Sequence, residues 1–374
     1  GLRRERERVQ ARVDALLAQA GTAGSLTRAE WMARSSRGEA LLSAGRAREA
    51  EAIFRDLLAR VPAAGGDDAW GYERAYTVWE IGLTLKDQGR PEQAAAAYRD
   101  ALAGLARLAP SDGVSRQTGN LHGELARTLM DLGQYTEARS EYETALTLHR
   151  AVDDQRSVAV SLGELGTLAL LQHDYAEARR RHQEALATFR RLDEPEMEAV
   201  GWHQLGMVAE AERAWDEAER CYREAVRLRE ASGHLAMVAS DYGQLGNLCH
   251  SAGRIAEAET WSRKAMDAFT ALRDIASEAK AANNLANLLL AVAAQPPAAR
   301  PAPFQGRDLL AEAEALAERA VSIYEAIGDP SLEVWKMYNI LADIADRRGQ
   351  GEAARTWRRK ASASFAAFPG AWAQ

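Results

Sequence analysis

The chain has 374 residues, with 47 Lys and Arg against 54 Asp and Glu and a formal net charge of −7. That balance excludes the basic surface of a nucleic-acid-binding protein, and 27% charged with 47% apolar residues excludes a disordered chain. The two cysteines, Cys221 and Cys249, cannot build a disulfide framework and lack metal-ligand spacing.

Residues 1–19 read as a charged helix that begins Gly1-Leu2-Arg3-Arg4 and carries no secretory signal. Small residues from Ala20 to Ser25 break it, so residues 1–26 are expected to form an N-terminal helix and linker. A chain that opens on Gly is expected to be a piece of something longer. Thr27 and Glu30 have the spacing of a capping box at the start of the next helix. Arg34 and Arg37 then stand where later copies are apolar, so the first repeat is degenerate.

From there to residue 367 two blocks alternate. Leu162-Gly163-Glu164-Leu165-Gly166 returns as Trp202-His203-Gln204-Leu205-Gly206 and as Tyr242-Gly243-Gln244-Leu245-Gly246. A second block, Tyr175-Ala176-Glu177-Ala178, returns as Trp215-Asp216-Glu217-Ala218 and Ile255-Ala256-Glu257-Ala258. Its last alanine recurs at Ala50, Ala94, Ala138, Ala178, Ala218, Ala258, Ala313 and Ala354. A repeat of roughly forty residues means stacked supersecondary units, each too small to bury its own apolar face.

Each unit reads as two helices. Leu162, Leu165, Leu168 and Ala169 share one face, and Ala178, His182, Ala185, Leu186 and Phe189 share another. Gly89, Gly133, Gly253 and Gly349 mark the turn between the halves. Gly166, Gly206, Gly246 and Ala286 are small where two helices must approach. Gly123, Gly163 and Gly243 are mid-helix glycines, each costing up to about 1 kcal/mol relative to Ala. The expected gain is closer helix packing, or else an open groove floor, with packing favoured.

The proline-rich stretch around 294–307 lengthens one unit and is expected to be an exposed loop whose removal leaves the fold intact. Asp329 and Pro330 read as an N-cap and first helical position. Residues 368–374 form a tail with no polar capping helix, which implies a further domain or an unsealed end.

Trp202, Leu205, Gly206, Ala218, Tyr222 and Ala225 follow, in order, the pattern Trp-x2-Leu-Gly-x2-Tyr and then Ala-x3-Phe-x2-Ala. Tyr242, Leu245, Gly246, Ala258 and Ala265 follow it again. These residues resemble the tetratricopeptide repeat (TPR) family in an extended form. Asn283-Asn284-Leu285-Ala286 is similar to the motif of kinesin light chain repeats. The resemblance implies an all-α fold, a right-handed α-solenoid or superhelix of about eight TPR-like helix-turn-helix units.

Catalytic motifs are missing: there is no glycine-rich phosphate loop, no Gly-x-Ser-x-Gly elbow and no His-Glu-x-x-His. His182 lies on a core-facing stripe and His173 in a turn, so the histidines are expected in core or capping roles, with no metal and no cofactor. The longest apolar run, Leu285 to Ala294, is about half of what spans a bilayer.

The resemblance implies that first helices line a concave groove. With the repeated Leu at position seven, positions two, five, six and nine face it. Position six reads Glu80, Glu124, Glu164, Gln204, Gln244 and Asn284; position nine includes Arg127, Asn247 and Asn287. Position two supplies Lys280 and Lys336, and position five supplies His203, Asn283 and Asn339. Amides both donate and accept, which suits the backbone of an extended peptide. Lys280 with Asn284 and Asn287 is similar to half of the carboxylate clamp of chaperone-binding TPR proteins.

The expected function is therefore non-catalytic. The chain is a bacterial, cytoplasmic interaction scaffold holding a protein or extended peptide in its groove, with no nucleic-acid or membrane partner. The alternative is a ligand-sensing regulatory domain of a larger bacterial signalling protein. The array is similar to the sensor regions of STAND-type ATPases and of CHAT proteases, where an effector domain is covalently linked. Self-association through an exposed terminal helix stays open.

Overall fold

The computed structural model describes residues 26–62, 70–328 and 332–368. The helix expected within residues 1–19, the Asp329–Pro330 cap and the end of the tail lie outside the described residues. Among the described residues there are sixteen α-helices and no strand, so the fold is an all-α solenoid of helical repeats.

The chain divides into two compact units, residues 1–188 and 189–374. The first holds α1 (Arg28–Ser43), α2 (Ala47–Arg60), α3 (Gly71–Asp87), α4 (Pro91–Leu105), α5 (Asp112–Asp131), α6 (Tyr135–Ala151), α7 (Gln155–Leu171) and most of α8 (Tyr175–Arg191). The second holds α9 (Pro195–Ala211), α10 (Trp215–Ala231), α11 (Leu235–Ser251), α12 (Ile255–Leu272), α13 (Ile275–Ala293), α14 (Leu309–Ile327), α15 (Val334–Arg347) and α16 (Gly351–Ala367). Within each unit a helix packs chiefly on those before and after it in the chain.

Local chemistry sets the helix ends. The side chains of Ser111, Asp154, Asp274 and Asp308 each accept a backbone N–H from the residue three positions on, at 3.2, 3.0, 3.1 and 3.0 Å. Pro91 and Pro195 occupy first helical positions, where the missing N–H costs nothing. Thr27 accepts from the Glu30 N–H at 3.2 Å, as a capping box requires. The reciprocal half is not made, because the Glu30 carboxylate is drawn instead to Arg60 at 2.6 Å and Arg34 at 3.2 Å.

The turns inside repeats follow the expected glycines: Gly89, Gly133, Gly253 and Gly349 have φ of 71°, 73°, 77° and 72°. Two copies lack glycine there and hold His173 and Arg213 at φ 60° instead, at a cost of about 1 kcal/mol each.

The eight anchor alanines are fully buried, and so are the rings one turn beyond most of them. Phe54 covers Gly38, Tyr98 covers Gly82, His182 covers Gly166 and Tyr222 covers Gly206. A Cβ on Gly206 would stand 2.6 Å from the Tyr222 ring, so the small residue is demanded by the neighbouring helix. Gly123, Gly163 and Gly243 differ. Nothing lies within 4 Å of a Cβ on the first two, and only Ala265 reaches the third at 4.0 Å. The expected packing role is therefore replaced by an open helix surface.

The proline-rich stretch is exposed over most of its length, as expected, but Phe304 makes it more than a passive loop. It forms two 3-10 turns, Pro297–Ala299 and Ala302–Phe304, each with proline at its start. Phe304 is 0% exposed and joins the core of the second unit. Arg300 donates to the Ala293 and Gln295 carbonyls at 3.0 and 3.1 Å, which closes the loop onto the end of α13.

Candidate ligand-binding faces

In the first unit the sequence-expected residues Glu124, Arg127 and Glu164 form one cluster. Arg127, on α5, reaches Glu124 of its own helix at 3.1 Å and Glu164 of α7 at 2.9 Å. The Tyr142 hydroxyl, from α6, donates to Glu164 at 3.2 Å. Burial pulls the Arg127 guanidinium down, but Glu124 and Glu164 outweigh it and hold the group above its ordinary range. Burial, then Glu164, pushes the Tyr142 phenol up, so it stays a donor. Lys86 adds a longer pair to Glu124 at 3.8 Å. These charges are matched within the chain.

In the second unit His203 and Gln244 are also engaged internally. His203 Nδ1 lies 3.0 Å from Asp241, which is fully buried and also accepts from Arg229. Gln244 donates to Glu210 at 2.8 Å, and the Tyr222 hydroxyl donates to the same oxygen at 2.7 Å. The Gln204 Oε1 and Asn283 Oδ1 atoms are buried without a hydrogen-bond partner. Lys336 pairs with Glu333 at 2.6 Å and sits 5.4 Å from the Trp335 ring. Lys280 and Asn339 are exposed.

Asn247, Asn284 and Asn287 are brought together. They line a cavity of about 170 Å³ with His250 and Ser262. The cause is the end of the ring series in the core, which gives way to Ser262, Ala317 and Arg358 in the last three repeats. Ser262 holds the place on α12 that Tyr98, His182 and Tyr222 hold on their helices, four residues beyond the anchor alanine. A hydroxymethyl group fills far less space than a ring, so a notch opens over Gly246 between α11 and α13. Asn247, Asn284 and Asn287 have no side-chain hydrogen-bond partner among the described residues. The notch therefore presents amide donors and acceptors on a floor that includes Leu288 and Ala291. His250 and Ser262 were not among the expected site residues. The break in the ring series at Ser262 is the sequence signal that points to them.

The remaining histidines and the cysteines belong to the interior. Burial pushes His182 down to about 4, which keeps it neutral, and burial lowers His149 as well. Cys221 and Cys249 are both buried. Among the described residues no group of three or more His, Cys, Asp or Glu side chains converges as metal ligands. No described helix is long and apolar enough to cross a membrane.

Residues 117–191 and 198–271 match the tetratricopeptide repeat family model. No curated protein matches the chain in sequence. Solved structures share the fold at low identity. A STAND protein with a tetratricopeptide repeat sensor, from Pyrococcus horikoshii, is 17% identical with a TM-score of 0.64; the match covers 96% of this chain and 53% of that one. The apo form of the quorum sensor NprR from B. thuringiensis is 14% identical with a TM-score of 0.61, over 96% of this chain and 94% of that one. A Rap protein complexed with Competence and Sporulation Factor is 13% identical with a TM-score of 0.50, over 90% and 99%. Family match, helical pairing and the ring-on-glycine core agree that residues 117–191 and 198–271 are tetratricopeptide repeats.

Proposed function

We propose that the chain is a non-catalytic recognition module that holds a protein or peptide segment on the surface of its first helices. The observation that carries this reading is the amide-lined notch of the second unit. Three asparagines without internal partners stand together where the core gives up a ring. An extended backbone laid across them exchanges water for amide hydrogen bonds at little ordering cost, because the helices already fix the donors. Asn247, Asn284 and Asn287 are the primary contacts, with Lys280, Asn283, Lys336 and Asn339 beside them on the same unit. Gln204 offers a buried acceptor. Glu124, Arg127, Glu164, His203 and Gln244 contribute a shaped polar surface more than free donors, because they are paired internally. NprR is a quorum sensor and the Rap protein is complexed with a factor, which supports ligand capture by arrays of this fold. The two buried thiols suit a reducing, cytoplasmic setting.

The test is selection of peptides from a random display library on the full chain. Peptides selected on wild type are expected to bind Asn247→Ala/Asn284→Ala/Asn287→Ala about tenfold more weakly or worse. The melting temperature of that variant should be nearly unchanged, since the amides bond nothing inside the chain. Unchanged peptide affinity would remove the notch from the binding surface.

A second reading, a regulatory sensor linked to a STAND-type or CHAT-type effector, draws on one observation. The chain matches a STAND sensor structure over nearly its own whole length while spanning about half of that protein. Both readings use the same surface and differ in the response that ligand capture triggers.

A further inference from the structure

The first unit holds a second unsatisfied cluster, of opposite character to the amide notch. Glu80 on α3 is 3% exposed, and its Oε2 atom has no hydrogen-bond partner. Glu39 on α1 is half-buried and faces it closely enough to repel its charge. The Tyr76 hydroxyl donates to Glu39 at 3.2 Å, and the Ser35 hydroxyl donates to the same oxygen at 3.4 Å. Neither glutamate meets a Lys or Arg within ion-pair distance among the described residues. Two further polar atoms nearby are buried without partners: Trp79 Nε1 and the Tyr98 hydroxyl.

Aromatic rings cluster around Tyr76, whose hydroxyl holds Glu39. Tyr76 lies 5.6 Å from Trp31 and 5.1 Å from Trp79, edge to face with each, and 6.5 Å from Tyr72, stacked. Elsewhere in the chain half-buried rings carry cations, as where Arg190 sits 4.9 Å from Trp202 and Lys264 sits 4.5 Å from Trp261. None of Trp31, Tyr72, Tyr76 or Trp79 carries one among the described residues.

The same chain shows what completes such a slot. Glu39 holds position nine of the first repeat and Glu80 position six of the second. Two repeats later the corresponding pair is Arg127 and Glu164, joined at 2.9 Å with a tyrosine hydroxyl on the carboxylate. There the cation is supplied from within. In the first slot the arginine is replaced by a second carboxylate, so the charge pattern is inverted and nothing internal balances it. Buried, unpaired carboxylates beside each other are costly unless a cation arrives.

We infer that Glu39 and Glu80, beside Tyr76 and the rings packed on it, form a binding site for one cationic side chain of a polypeptide partner, arginine in preference to lysine. A planar guanidinium can bond both carboxylates from its fork while stacking on a ring, as a compact ammonium cannot. This deepens the recognition reading above, on which it rests, by naming one ligand group. It uses different residues in a different unit, so the two fail independently.

The test titrates the full-length chain with N-acetyl-arginine-N-methylamide, its uncharged citrulline counterpart, the lysine counterpart and free agmatine, followed by saturation-transfer NMR. The arginine compound is expected to bind saturably, better than lysine and at least about tenfold better than citrulline. Agmatine separates a free amine from a peptide-borne side chain, and weaker binding than the amide-flanked arginine supports a polypeptide source. Glu39→Gln is expected to weaken arginine binding about tenfold, and Glu80→Gln as much or more. Glu39→Arg should abolish binding and raise the melting temperature, because it supplies from within what Arg127 supplies two repeats later. The asparagine triple variant should bind the probe as wild type does. Equal binding of arginine and citrulline, no saturable binding by wild type, or full binding by a folded Glu39→Arg chain would each overturn the site.

Discussion

Glu80 carries a charge that its surroundings oppose. Burial, then the neighbouring Glu39, lifts its carboxyl from an ordinary value of 4.5 to about 7, and the Tyr76 hydroxyl only partly offsets them. The groups around it are Glu39 from α1, Tyr76 from its own helix and Tyr98 from α4. Because the native state holds this proton more tightly than the unfolded chain does, stability falls as pH rises between those two values. Below about 4.5 both states are protonated and Glu80 contributes no slope; above about 7 its full penalty is present. Glu80→Gln is therefore expected to raise stability by roughly 1–3 kcal/mol at pH near 8 and by little at pH near 4, read from urea unfolding at the two pH values. A gain of equal size at both would mean that the charge is not the cause. Glu80 was legible as one polar rung of position six. Its partner Glu39 was not, because the arginines at usually apolar places in the first repeat obscured the register. Gly123, Gly163 and Gly243 were read toward packing over the open floor that they form, for a related reason. A glycine between helical residues reads the same whether a ring or open solvent lies above it, and only the neighbouring helix decides.

Helices and turns were the most legible layer, since period, capping residues and turn glycines act locally and are all written within a few residues. The stretch between α13 and α14 was the exception. Proline density pointed correctly away from α-helix, yet proline also starts 3-10 turns well, and those turns carry Phe304 into the core. Arg307 then ties the end of the stretch down, with Glu259 of α12 at 2.7 Å and Glu312 of α14 at 2.6 Å. Hydrogen bonds to Glu312 and Glu259 outweigh burial and hold the Arg307 guanidinium above its ordinary range, so the ion triad is set at any physiological pH. Phe304→Ala is expected to destabilise the second unit by about 3 kcal/mol, the cost of emptying a fully buried ring site. Differential scanning calorimetry gives the check. A change below about 1 kcal/mol would restore the view of the stretch as a passive surface loop. An aromatic residue among prolines was the available sequence signal, and composition alone outweighed it.

A repeat chain is held together by neighbour contacts, which sets how far a local injury travels. In the second unit each helix from α10 to α15 touches mainly the one before and the one after, apart from a weaker contact between α13 and α15. Stability is then a sum of repeat terms and interface terms, without one central core shared by all. The forty-residue period exposed this organisation at once. The amide-lined notch, by contrast, depends on the repeat that keeps its glycine, Gly246, while Ser262 stands in place of a ring, and a repeat pattern conceals such a mismatch. Gly206→Leu probes the propagation directly. Its side chain has no room beneath the Tyr222 ring, so α9 and α10 must separate, at about 1–3 kcal/mol. Hydrogen–deuterium exchange is expected to quicken in α9, α10 and the adjoining α11, and to stay at the wild-type rate in α15 and α16. Uniform loss of protection through α16 would mean that the unit unfolds as one cooperative body. In that case a ligand held at Asn247, Asn284 and Asn287 would stabilise α9 as strongly as α13. If exchange quickens only near α10, ligand protection should be confined to α11 through α14. The same exchange experiment on the peptide complex then distinguishes a local clamp from a sensor that stiffens its whole unit.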